Sequence, residues 1–210
     1  VRVFRKGEEL YDKRFGERYT LLQTAEETGG ELARVEDVVR PGPSRRPASG
    51  HPNQEERFEV ISGTLGLKVD GEEHLLGHRE SFVVSPGVKH LRRNAGEGDL
   101  RFVAEMRPPG RFEEFLAEIT AANNSGREGL AYLLTAAQVF HCFPDVERPT
   151  PLPRPLERAL FALLAGVGEL FGASPEDPKS PEVAEAATGT ADGSRGAKGF
   201  GIRKEHGNQG

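Results

Sequence analysis

Between residues 56 and 106 apolar and polar side chains alternate with a period of two, interrupted every few residues by glycine or proline. Phe58 and Val60 share a face with Glu56, whereas Arg57 and Glu59 take the other; beyond Gly63, Leu65, Leu67 and Val69 alternate with Thr64, Lys68 and Asp70. That period belongs to extended strands with one face buried. Asp70-Gly71 is a hairpin signal, because both residue types tolerate the positive φ of a two-residue turn. Further short strands are expected around 73–76, 81–84, 88–93 and 100–106, the last with Leu100, Phe102, Ala104 and Met106 on one side. Short strands at this spacing imply an antiparallel sandwich or barrel.

The flanks read differently. Residues 1–28 form an N-terminal arm with an edge strand near Tyr19–Leu22, and residues 31–40 a strand whose alternation changes phase near Glu36-Asp37, which suggests a bulge. Residues 41–50 are a loop rich in proline and glycine. After Pro108-Pro109-Gly110 the period becomes helical, with Phe112, Phe115, Leu116 and Ile119 in one stripe. A second helix is expected over about 127–140 and a third from Pro155. The third carries Leu156, Leu160, Leu163, Leu164, Val167, Leu170 and Phe171 on a wide apolar face, expected to pack on the barrel exterior or on a second subunit. From Gly172 large apolar residues almost vanish, so 172–210 is expected to be a disordered tail. The division is thus an arm (1–28), a barrel (29–107), a helical extension (108–171) and a tail.

Composition narrows the function classes. A net charge of −5 with both signs interspersed leaves no basic patch for nucleic acid. No apolar run reaches the roughly 18 residues of a membrane span, and Val1–Lys6 lacks the character of a signal peptide. Cys142 is the only cysteine, so no intramolecular disulfide is available, and a cytoplasmic location is expected. Beside His141, Cys142 is expected to be a buried structural thiol. His74 and His78 are expected at the surface.

Strand parity turns Glu56 toward the interior with Phe58 and Val60, and His90 inward with Val88 and Arg92. His51, at the entry of the first of these strands, can curl back into the same volume. A buried carboxylate is costly without a partner, so two imidazoles converging on it suggest a divalent cation. Arg92 can meet an anionic ligand group, although a solvent-facing pair with Glu55 or Glu59 is the simpler expectation. Phe58, Leu67, Phe82, Phe102 and Met106 are candidates for an apolar pocket, or else ordinary core.

The same residues resemble the two motifs of the cupin superfamily. His51, Glu56 and Gly63 fit the second His, the Glu and the closing Gly of G-x5-H-x-H-x(3,4)-E-x6-G; Gly87, His90 and Asn94 fit the last anchors of G-x5-P-x-G-x2-H-x3-N. The first metal-binding His falls at Ser49, and the second motif's Gly and Pro fall at Arg79 and Ser85. The resemblance implies an all-β jelly-roll barrel followed by two or three helices. It also implies a metal site of His51, Glu56 and His90, with Ser49 holding a water and Glu55 as the alternative carboxylate. Fe, Mn, Ni or Zn suits that ligand set. The expected activity is that of an oxygenase- or isomerase-like enzyme acting on a small organic molecule, in a homodimer. The rival expectation is a non-catalytic binding or structural protein with a degenerate site.

Overall fold

The computed structural model describes residues 4–43 and 46–172. Nine strands are found among them: β1 (Glu9–Asp12), β2 (Glu17–Gln23), β3 (Ala33–Val39), β4 (Glu55–Ser62), β5 (Leu65–Val69), β6 (Glu72–Leu76), β7 (Ser81–Val84), β8 (His90–Asn94) and β9 (Leu100–Arg107). They pair as a six-stranded sheet, β1-β2-β3-β9-β4-β7, and a three-stranded sheet, β6-β5-β8. All pairings between strands are antiparallel. Three helices follow, α1 (Phe112–Asn124), α2 (Gly129–Cys142) and α3 (Arg154–Leu170). Two expectations are corrected here. The chain is not all-β, and the strands make a two-sheet sandwich rather than a closed barrel. The tail expected from 172 lies, from 173 onward, outside the described residues.

Turn chemistry sets the registers. Asp70 and Gly71 both take positive φ (48° and 91°) between Val69 and its partner Glu72, which is the hairpin geometry their residue types favour. Gly63 leaves β4 at φ 86°, and a Cβ there would lie 2.9 Å from the Asp99 carbonyl oxygen and from Leu100 Cα. Only glycine fits that crossing, which explains the closing glycine of the first motif. Asn94, the last anchor of the second, is structural: its side-chain amide donates to the carbonyls of Val39 (2.9 Å) and Gly98 (2.8 Å), and its oxygen accepts from Gly96 N–H.

The alternating residues form a core of Phe58, Val60, Leu65, Leu67, Val84, Leu100, Phe102 and Ala104. A second cluster joins Leu10, Tyr19, Leu21, Ala33, Val35 and Met106 to Phe112, Phe115 and Leu116 of α1 and to Val139, Phe143 and Val146. The N-terminal arm is therefore a hairpin built into the large sheet, and α1 packs against β1. The bulge expected at Glu36-Asp37 is absent. Alternation runs unbroken through Ala33, Val35 and Asp37, all buried, and the irregularities fall at Leu21/Gln23 and Val60/Ser62 instead. The phase change in the sequence marks a buried aspartate.

Candidate metal centre and cavity

Glu56 is the second residue of β4, paired with Val84 on one side and Met106 on the other, so its side chain must point into the sandwich. His90 opens β8, and a reciprocal bridge to Ser49 (Ser49 N to His90 O 3.0 Å, His90 N to Ser49 O 2.9 Å) brings the loop before β4 alongside it. Gly87, at φ 80°, donates its N–H to the His51 carbonyl at 2.7 Å and ties the Pro-Gly turn to the same loop. These backbone links place the three side chains together. Glu56 Oε2 lies 3.2 Å from His51 Nε2 and 2.9 Å from His90 Nε2, and all three residues are buried.

The remaining ring nitrogens are held from outside. His51 Nδ1 donates to the Val146 carbonyl at 2.7 Å, and His90 Nδ1 faces the Val88 carbonyl at 3.4 Å. Bonding at Nδ1 directs Nε2 inward, where it could ligate a metal, the usual way in which a backbone carbonyl orients a metal-binding imidazole. One donor atom from each residue lies within 4.8 Å of the others. Glu56 Oε2 is buried and has no hydrogen-bond partner of good geometry. Contacts of this length match the edge between neighbouring ligands around a cation whose bonds are about 2.1 Å long. The donor set and its convergence fit a divalent metal. Without one, burial works against the His51 imidazolium but the Glu56 carboxylate outweighs it, raising His51 to about 9. Burial likewise opposes the Glu56 carboxylate, yet the two imidazoles hold it well below its ordinary value.

His51, Glu56, His90 and Ser49 border a cavity of about 290 Å³. Its far wall is apolar and largely helical, with Phe112, Leu116, Ile119, Ala136, Phe140 and Phe161. A second polar group lines it too. Arg92 reaches Asp37 at 2.9 Å and Glu17 at 3.1 Å, while Arg46 reaches Glu17 at 2.7 Å and also bonds the Tyr19 hydroxyl. Burial raises Asp37 to about 7, against the pull of Arg92; burial also acts on Glu17, but Arg46 and Arg92 prevail and lower it to about 2. Asp37 Oδ1 has no hydrogen-bond partner.

The candidate residues thus separate into groups. His51, Glu56 and His90 are brought together, with Ser49 beside them. Glu55 sits on the opposite side of β4, across from Arg107 in register, away from the cluster. Arg92 is not a rim residue paired with Glu55 or Glu59, because the inward Asp37 and Glu17 give it partners inside. Phe58, Leu67, Phe102 and Met106 are fully buried core, and the half-buried Phe82 lies tilted against the His74 ring at 4.6 Å; none of these five borders the cavity. Cys142 is exposed at the end of α2 rather than buried. Tyr19, Asp37 and Arg46 are the polar wall that sequence reasoning missed, with Glu17 pairing to Arg46 and Arg92 but not bordering the cavity; the charged residue at an inward strand position was the signal for Asp37.

Residues 35–104 match the sequence profile of the cupin domain. These residues form a cupin domain. Among characterised proteins it is 32% identical, over 98 residues, to the polyketide synthase CurC of Streptomyces cyaneus, covering 46% of this chain and 62% of that protein. The chain therefore spans less than two thirds of that relative. A predicted oxalate decarboxylase from Thermotoga maritima is 18% identical, with a TM-score of 0.44 over 51% of this chain and 99% of the other. A cupin-like protein from the same organism is 19% identical, with a TM-score of 0.42 over 51% and 82%. Likenesses of that size carry nothing about activity. No helix among the described residues is long and apolar enough to cross a membrane.

Proposed function

We propose that this cupin is a metal-dependent enzyme acting on a small, largely apolar organic molecule held between the sandwich and the helices. The observation that carries this reading is the buried convergence of His51 Nε2, Glu56 Oε2 and His90 Nε2 at the edge of a cavity. A divalent cation held there by His51, Glu56 and His90 would supply Lewis acidity toward an oxygen of the ligand or, as iron, oxygenase- or isomerase-type chemistry. The protein's own part is positional. Val146 and Val88 fix the imidazoles, the helical wall excludes water and takes the apolar body, and Arg92, Asp37 and Tyr19 offer polar contacts opposite. Asp37, raised by burial to about 7, can hold or release a proton near neutral pH. The likeness to a polyketide synthase makes oxygenated polyketides the first ligand class to assay.

One observation favours a second reading. Ser49 stands where the family's first metal-binding His would be, and the three remaining residues lie within ion-pair distance of one another without metal. A non-catalytic binding protein would need no more than the cavity. Elemental analysis of untagged protein, beside His51→Ala and His90→Ala, separates the two. Near-stoichiometric Fe, Mn, Ni or Zn that disappears in both variants supports the enzyme reading. Absence of metal after anaerobic reconstitution with Fe(II) leaves the binding protein.

A further inference from the structure

The third helix packs with the face opposite to the one its large residues suggest. Glu157, Phe161, Ala165 and Gly168 are buried, Phe161 stacking on Phe140 at 5.4 Å and Gly168 lying against the Gln138 side chain. The leucines face outward: Leu156 is 59%, Leu160 37%, Leu163 65% and Leu170 85% exposed, with Phe171 at 77% and Val167 half-buried. Leu156, Leu160, Leu163, Val167 and Leu170 follow each other at spacings of four, three, four and three. That is the seam of a two-stranded coiled coil, a pattern that complements a copy of itself because each side chain enters a gap in the facing row. Exposed Ala159 and Gly166 border the stripe, and a Cβ at Gly166 would meet nothing, so a second backbone can come close.

We infer that α3 pairs with α3 of a second copy of this chain in antiparallel fashion. The exposed fractions of the stripe, together with that of Phe171 at its end, amount to roughly 600 Å² per copy, so a pair that covers them fully buries about 1,200 Å², the lower bound of specific interfaces. Antiparallel pairing sets the end bearing Arg158 beside the partner's end bearing Glu169 and opposes the helix dipoles. A lipid surface fits less well, since α3 carries only Arg154 and Arg158 as cations against Glu157 and Glu169. Residues 173–210 fit less well too, holding only Val183, Phe200 and Ile202 as large apolar residues.

Sedimentation equilibrium of the full chain at micromolar concentration is expected to return the dimer mass. Leu163→Glu, at an exposed position of α3, should weaken association by about a hundredfold or more with an unchanged far-UV circular dichroism spectrum. In a Cys142→Ser background, Leu163→Cys near the midpoint should cross-link on oxidation, whereas Leu156→Cys at one end should not. A monomeric wild type, or a dimer that survives Leu163→Glu, overturns the pairing. Flotation of a monomeric chain with phosphatidylserine vesicles, abolished by Leu163→Glu, overturns it in favour of a lipid surface. Cross-linking through Leu156→Cys overturns the antiparallel arrangement.

Discussion

His51 Nδ1 lies 2.7 Å from the carbonyl oxygen of Val146, a residue 95 positions further along the chain. The segment after α2 therefore orients a side chain of the candidate metal centre, and the helical extension is part of that candidate site. Gly50 and Arg148 reinforce the link with a reciprocal backbone bridge of 3.2 and 2.8 Å.

In the metal-free protein, that imidazole makes stability pH-dependent. His51 is raised to about 9 from an ordinary 6.5, so its charged form is favoured by folding. The contribution is fully present below pH 6.5 and is lost as the pH rises through 9. Thermal melts of metal-free protein between these values should show Tm falling, with a visibly flatter profile for His51→Gln. Metal displaces the same proton, so metal affinity should rise over that range.

Ser49 borders the cavity and is bridged through its backbone to His90. Ser49→His adds an imidazole where the family pattern has one. Metal affinity, measured by competition with a chelator, should increase at least about tenfold, the scale on which supporting groups of a metal site act. An unchanged affinity would mean that this side chain cannot reach the cluster.

The Arg92–Asp37 pair is buried, at 2.9 Å. Arg92→Met strands Asp37 and Glu17 without their cation and should cost about 3–5 kcal/mol in urea unfolding. Combining it with Asp37→Asn removes one of the stranded charges and should recover part of that loss. Simple additivity of the two substitutions would show that the pair is not coupled.

Phe58 touches Phe102 and His90 at ring separations of 5.7 Å and is fully buried. Phe58→Ala should lower stability by about 3–5 kcal/mol, as cavities in packed cores do. Phe140→Ala, in the cavity wall, should instead change ligand affinity more than stability. Urea unfolding beside ligand titration separates the two effects.

Strand parity made much of this site legible. Knowing that Glu56 shares a face with Phe58 and Val60 places the carboxylate inside, and the His90 register follows from the same period. The buried Asp37 was misread as a bulge because its counter-ion, Arg92, lies on a different sheet, and local alternation carries no knowledge of distant partners. Amphipathicity likewise revealed the leucine stripe of α3 but not which way it faces. Helix neighbours select the closest fit, and Ala165 and Gly168 admit α2 more closely than leucines could. The cavity walls escaped because they are assembled from the N-terminal hairpin and the helices, segments that carry no motif.

Two sheets that stop short of closing leave one side of the interior to be completed by helices. The metal-competent residues rest on the strands and their adjoining turns, whereas most of the apolar surface a ligand would touch rests on α1, α2 and α3. Under the proposed function, chemistry and selectivity would be written in separate stretches of the gene. Exchanging side chains such as Ile119 or Ala136 would remodel what the chamber accepts while His51, Glu56 and His90 stay in place, so new specificities would lie within reach of a few substitutions.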